Sequence, residues 1–370
     1  MNVSEREGRL DRGHRRTCRR VLAILAVAIG SASSVLSSAS HGGTSQLIAF
    51  AALTGKHTDI YVGRTDGTGR VRLTRGGNDE YCPTWSPDGG SVALVIQEPS
   101  TSPITGRAWI AVTSNSGRRR WQIEADGGCP AWSPDGRWLA YFQRTDSGID
   151  LNVVAANGRG MRRLAAHVDP RLLEGVPAWS PGSQEIAFMN EGDNERFLIR
   201  FVGVNRARRP PLKVRRDPSF CSDGCQLYAA RMSWAPGNDI AFLIAGGDLY
   251  PEVLYAVGRD GGSQRLLSGE LQDIYAPAWA ADGKRLAFVA RKGTNDQIWT
   301  ANADGTGLRQ VTTIRSNTSN LSGVFDPTWS PDGNRLACWG HAGGIYIVEA
   351  RSGKAVLVVG NAVGAASWRP

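Results

Sequence analysis

The chain has little histidine and little methionine, five and four residues among 370. The histidines past the first forty residues are His41, His57, His167 and His341. They show no H-x-H or H-E-x-x-H spacing, which argues against a metal held by histidines and predicts no metal cofactor. No G-x-S-x-G pentapeptide occurs, so the nucleophile elbow of a serine hydrolase is missing and no catalytic residue is assigned. No apolar run approaches the ~20 residues of a membrane-spanning helix. One-signed charge is also scarce, because +4 of the net charge of +9 falls within the first 39 residues and only about +5 is left for the remaining 331.

That start reads as a targeting segment. Arg6, Arg9, Arg12, Arg15, Arg16, Arg19 and Arg20 precede the apolar run VLAILAVAIG at 21–30 and the small-residue run SASSVLSSAS. A basic region, a short apolar region and a small-residue end predict a secretory signal over residues 1–39, cleaved near Ala39. An uncleaved anchor through residues 21–36 is the other reading. Losing seven Arg together with Glu5, Glu7 and Asp11 would leave about +5 on the mature chain, which does not point to nucleic acid.

Against these absences stand 12 Trp and 45 Gly, and their placement is periodic. Trp85, Trp132, Trp179, Trp234, Trp279, Trp329 and Trp368 are separated by 47, 47, 55, 45, 50 and 39 residues. Each but the last is followed by a turn sequence such as SPDG at 86–89, 133–136 and 330–333. Pro presets φ at the second turn position and Gly accepts positive φ at the fourth. An aliphatic-Ala-aromatic triplet then follows, as in Leu139-Ala140-Tyr141 or Ile240-Ala241-Phe242. Asp-Gly hairpins complete the units at 59–74 and 296–312.

A unit of about 46 residues with four strands, repeated without helices, predicts an all-β fold, a β-propeller of four-stranded blades. Seven triplets and seven Trp predict seven blades, with six as the alternative. The triplet Ile48-Ala49-Phe50 has no Trp before it, and Trp368 has no triplet after it. The last strand should therefore complete the first blade. The propeller is predicted over residues 47–370, after a short linker at 40–46.

The phrase Pro-x-Trp-Ser-Pro-Asp-Gly-x-x-[Ile/Leu]-Ala-Phe resembles the repeat of TolB-type propellers, the WD-like repeats of bacterial envelope proteins. It also resembles the propeller domains of prolyl oligopeptidase-type peptidases. The resemblance covers essentially the whole predicted mature chain. TolB itself looks like a six-bladed propeller behind a smaller α/β domain, for which little room is expected beside seven repeats, and the peptidases carry a hydrolase domain whose G-x-S-x-G elbow does not occur in this sequence. The resemblance thus implies an envelope propeller without a peptidase site.

The segments just before each inner strand should surround one mouth of the central channel. Acidic and aromatic residues recur there: Asp79, Glu80, Tyr81, Glu124, Asp126, Glu174, Tyr228, Asp273, Tyr275, Phe325 and Asp326. Loops on a rigid scaffold are where recognition residues usually sit. Asp79, Glu80, Tyr81, Glu174, Tyr228, Asp273, Tyr275 and Asp326 are taken as the binding face, and the leading reading is a non-enzymatic scaffold for a protein or peptide partner in the cell envelope. The chain is expected to be a monomer, periplasmic or at the cell surface. The alternatives are a hydrolase or lyase acting on polysaccharide or peptide, and a lectin-like or polyanion-binding module using the basic run at 206–216.

Of the six Cys, Cys18 would leave with the signal and Cys338 should be a buried thiol. Cys221 and Cys225 are predicted to form a local disulfide in an oxidising compartment. Cys82 and Cys129 hold the same phase in adjacent repeats; a bond between them depends on how far apart neighbouring inner strands lie.

Overall fold

The computed structural model describes residues 46–99, 107–168, 175–191, 197–205, 207–213, 232–244, 253–262, 264–271, 273–292, 295–314, 322–340 and 343–370. The predicted signal, Glu174, Tyr228, Cys221, Cys225, His41 and His341 all lie outside these residues.

The described residues are all β, with no helix among them, and their strands fall into four-stranded sets. Blade 1 runs from its inner strand Ala362–Trp368 through Leu47–Thr54 and His57–Arg64 to Val71–Arg72. Blade 2 comprises Asp79–Trp85, Ser91–Gln97, Ala108–Ser114 and Arg119–Glu124; blade 3 comprises Ala131–Trp132, Trp138–Thr145, Gly148–Ala155 and Arg162–Val168. Blades 4 and 5 begin at Ala178–Trp179 and Ser233–Trp234 and end at Arg208–Lys213 and Arg265–Leu266. Blade 6 comprises Ile274–Trp279, Arg285–Lys292, Asn295–Asn302 and Arg309–Gln310. Blade 7 comprises Ser322–Trp329, Arg335–Gly340, Ile345–Glu349 and Ala355–Val359. Each inner strand adjoins the next, and that of blade 7 adjoins that of blade 1, so the ring closes.

Closure is made by the chain ends. Ile48 pairs with Trp368 and Ala49 with Ser367 in an antiparallel ladder, so the last strand completes the first blade. A ring sealed this way leaves no inner edge strand open to pairing with another chain.

The repeated tryptophans hold blade to blade. The Trp132 indole N–H donates to the Thr84 carbonyl at 3.2 Å, Trp179 to Ala131 at 3.0 Å, and Trp279 to Ser233 at 3.1 Å. Trp329 donates to Ala278 at 3.0 Å and Trp368 to Thr328 at 2.9 Å. In all five cases the acceptor is the residue just before the Trp of the preceding blade. The rings bury apolar area while the N–H satisfies a backbone carbonyl, which a Phe could not do. The triplets form the core between blades: Ile48, Phe50, Leu94, Leu139, Phe242 and Phe288 are fully buried.

Antiparallel order puts the first-to-second and third-to-fourth turns of every blade at one end of the ring. Hydrogen bonds between these turns, such as Ala156 N–H to Arg137 O at 2.9 Å and Ala303 N–H to Lys284 O at 2.9 Å, tie them together. The blade-to-blade connections lie at the other end, the loop end.

Candidate functional site

The loop end begins with a repeated distortion of the inner strand. In Tyr81-Cys82-Pro83, Tyr275-Ala276-Pro277 and Phe325-Asp326-Pro327 the ladder is interrupted by a bulge. The middle residue has a left-handed φ of 54°, 53° and 50° respectively. Proline has no N–H to give the ladder, and a bulge is where a strand tolerates it. A residue with a Cβ costs about 1–2 kcal/mol in this conformation. His167 and Asp273, also at the loop end, have φ of 53° and 52°. Ser183 and Asn238 take the same conformation in turns at the other end, so five of the seven such residues among those described lie at the loop end.

At blades 6 and 7 these strands bring together charge and aromatic surface. Arg291 bonds Asp273 at 3.0 Å through Nη1 and Asp296 at 3.1 Å through Nε. The Tyr275 hydroxyl is buried beside this group, and its pKa is driven upward by burial first and then by the Asp296 carboxylate. The Tyr275 ring stacks on Phe325 with centroids 6.0 Å apart, and Phe325 lies 5.6 Å from Trp339. Trp339 is anchored by its indole N–H on the Ala362 carbonyl of blade 1 at 2.9 Å. Asp326 follows Phe325 directly at its left-handed position, and the Asp273 side chain is 48% exposed. The start of the blade 7 inner strand pairs in parallel with blade 6, Gly323 opposite Asp296. A Cβ on Gly323 would meet the Asp296 carbonyl at 2.3 Å, so glycine alone permits this approach.

Blades 1 and 2 use the same phase differently. Asp79 accepts hydrogen bonds from the Thr58 N–H at 2.9 Å and the Thr58 hydroxyl at 3.2 Å, joining blade 2 to blade 1. Glu80 is only 1% exposed, accepts from the Thr74 hydroxyl and lies 3.8 Å from Arg119. The expectation that Glu80 stands on the channel mouth is corrected: its side chain turns into the seam between blades. Burial raises its pKa, against the opposing pull of the Thr74 hydrogen bond. Tyr81 donates to Gln97 Oε1 at 2.8 Å, and burial, with Asp126 and Asp79 nearby, pushes its phenol up to about 12.

Cys82 and Cys129 are bonded, with Cα atoms 5.4 Å apart, linking the inner strands of blades 2 and 3. Neighbouring inner strands are therefore close enough for the bond that their shared phase left open. Cys338 is a buried free thiol whose pKa burial raises. His57 sits 3.5 Å from Asp59 and His167 bonds the Ser147 carbonyl at 2.9 Å, in separate blades. Among the described residues, no group of three or more His, Cys, Asp or Glu is placed to hold a metal ion.

Thus Asp273, Tyr275 and Asp326 come together, whereas Asp79 and Glu80 are used between blades. Arg291, Asp296 and Trp339 were not anticipated from sequence. They sit on second and third strands, and only the antiparallel fold-back places them beside the inner-strand phase.

Solved structures with this architecture are numerous. TolB from Acinetobacter baumannii matches with a TM-score of 0.53 at 16% identity, over 88% of this chain and 67% of that one. The fold is that of a TolB-like β-propeller. An oligogalacturonate lyase solved in complex with manganese matches at 0.55 and 13% identity, over 85% of this chain and 84% of that one. A prolyl endopeptidase matches at 0.58 and 13% identity, over 85% of this chain but 49% of its own length. No family model matches the chain. At these identities the TolB-like likeness concerns architecture, and the function has to be argued from the site.

Proposed function

We propose that this TolB-like propeller is a non-enzymatic binding scaffold of the cell envelope, which holds a protein or peptide at the loop end of blades 6 and 7. The observation that carries this reading is the cluster of Asp273, Tyr275, Phe325 and Asp326. Aromatic faces and carboxylates lie side by side on consecutive inner strands, held by bulges with left-handed residues. Tyr and Phe supply contact area at low entropic cost, and the carboxylates select basic or polar partner groups. Tyr81 belongs to the same face on blade 2, and Glu174 and Tyr228 extend it in sequence phase. The Cys82–Cys129 bond supports export, since disulfides persist in oxidising compartments. The Cys221–Cys225 bond and cleavage of residues 1–39 belong to the same reading, with a monomer that needs no cofactor.

A second reading is catalytic, a lyase or hydrolase working on polysaccharide or peptide. The Tyr275 phenol, buried beside the Arg291–Asp296 pair, favours it as a positioned group next to paired charges.

One experiment separates the two. The chain from residue 40 is offered arrayed peptides, purified envelope proteins and acidic oligosaccharides, with product analysis alongside binding. The scaffold reading expects peptide or protein retention that falls on Asp273→Ala with Asp326→Ala, and no product. Turnover of any substrate that is lost on Tyr275→Phe would establish the catalytic reading instead.

A further inference from the structure

We infer that the turn end of blades 2 and 3 is a docking surface for an anionic phospholipid bilayer. The argument is independent of the loop-end site.

Outside blade 2 the third-to-fourth turns follow one plan, in which a side-chain oxygen on the first turn residue accepts the N–H two residues on. In blades 1, 5 and 6 that oxygen belongs to a carboxylate: Asp66 accepts from Thr68 at 2.8 Å, Asp260 from Gly262 at 3.0 Å, and Asp304 from Thr306 at 2.9 Å. Blade 3 makes the identical bond with neutral Asn157, accepting from Arg159 at 3.0 Å. Blade 2 has Ser116 at this position, and there the Arg118 N–H goes to the Ser114 hydroxyl at 3.1 Å instead. The turn requires an acceptor, not a charge. Blades 4 and 7 also use neutral acceptors, Asn205 for Ala207 at 2.9 Å and Ser352 for Lys354 at 3.2 Å, so what sets blades 2 and 3 apart is that their neutral turns adjoin and carry Arg118, Arg120, Arg137 and Arg159 close together.

Contacts gather those arginines into one patch. Arg118 and Arg159 are exposed on the two turns. Arg120, also exposed, reaches the Gly90 carbonyl at 3.2 Å. The neighbouring Trp121 donates to Ala156 O at 2.9 Å, and its ring covers Gly158, so the blade 2 edge abuts the blade 3 turn. Arg137, its side chain 81% exposed, accepts the Ala156 N–H through its carbonyl. Arg162 lies 4.5 Å over the Trp138 ring. Two carboxylates share the adjoining turns: Asp88 accepts from the Ser86 hydroxyl at 2.5 Å, and Asp135 accepts from the Ser133 hydroxyl at 2.6 Å and lies 3.9 Å from Arg137 Nε, so the arginines outnumber them.

Met161, between Arg159 and Arg162, is 56% exposed. An exposed apolar side chain among guanidinium groups at the turn end has little use for a soluble polyanion. It suits an interface in which phosphates meet the cations and the thioether enters the acyl boundary. Guanidinium forks match phosphate oxygens in pairs.

The test uses the full chain and a form starting at residue 40, which retains every strand of the closed ring. Each is sedimented with vesicles of equal parts phosphatidylglycerol and phosphatidylethanolamine, and with vesicles of phosphatidylcholine alone. The shorter form should bind only the anionic vesicles, and high salt should release it. The quadruple change Arg118→Gln, Arg120→Gln, Arg137→Gln and Arg159→Gln should weaken binding by about tenfold or more. Met161→Ser should weaken it by roughly threefold while leaving its salt dependence intact. Arg351→Gln with Lys354→Gln, on the blade 7 turn, should change little. Equal binding of both vesicle types, retention by the quadruple variant with an unchanged melt, or capture by dextran sulfate without vesicle binding would each overturn the inference.

Discussion

The Ile48 backbone lies opposite Trp368, and the Trp368 indole N–H reaches the Thr328 carbonyl of blade 7 at 2.9 Å. One residue near the C-terminus thus completes the first blade and locks it to the last. Deleting residues 361–370 removes that inner strand and leaves the Leu47–Thr54 edge unpaired. The truncated chain should melt far below the parent and form aggregates on size-exclusion chromatography. A normal melt and a monomer peak would refute closure by this strand.

The indole bonds give a finer test. Trp132→Phe keeps most of the ring and loses the N–H that satisfies the Thr84 carbonyl. The expected loss is about 1–2 kcal/mol in urea unfolding. Trp132→Ala should cost about 3–5 kcal/mol. No loss on Trp132→Phe would mean that the hydrogen bond contributes nothing, and equal losses in the two variants would mean that ring burial contributes nothing.

The Cys82–Cys129 bond closes a loop with a sequence separation of 47. Chain entropy for such a loop is worth about 4 kcal/mol. Urea unfolding with and without reductant should show a loss of that order, and Cys82→Ser with Cys129→Ser should abolish the reductant effect. Insensitivity of the parent chain to reductant would contradict the bond.

Glu80 predicts a pH dependence of definite sign. Its folded pKa is raised by burial, so the folded state holds its proton more tightly than the unfolded chain does. The stability tied to that proton is fully present below the unfolded pKa. It is lost as pH rises through the folded value. Glu80→Gln, which mimics the protonated carboxyl, should leave the melting temperature nearly unchanged at acidic pH and raise it at alkaline pH. A variant less stable than the parent at alkaline pH would show that the contacts to Thr74 and Arg119 outweigh burial.

The blade phase was legible because Trp, the Pro-Asp-Gly turn and the aliphatic-Ala-aromatic triplet recur at nearly constant spacing. Closure was legible because Ile48 and Trp368 are each other's missing halves. The site was legible only in phase. Asp79 and Asp273 occupy comparable positions, yet Asp79 meets Thr58 of the neighbouring blade while Asp273 meets Arg291 of its own. Which partner faces an inner-strand carboxylate depends on residues one or two strands away, and their pairing register is not written in a local motif. The same reason hid the Cys82–Cys129 bond, which follows from the spacing between inner strands. Asp79→Ala should accordingly lower stability by about 1–3 kcal/mol, whereas Asp273→Ala, with a half-exposed ion pair, should cost at most about 1 kcal/mol.

The measurement that bears most directly on the scaffold reading is site-specific photo-crosslinking in the cell. A photoreactive residue is placed at position 273, on the loop end of blade 6, or at position 354, on the opposite end of blade 7. The account predicts a discrete protein adduct from position 273 that disappears on Asp326→Ala, and none from position 354. An adduct from position 354 alone, or only carbohydrate attached at position 273, would contradict it.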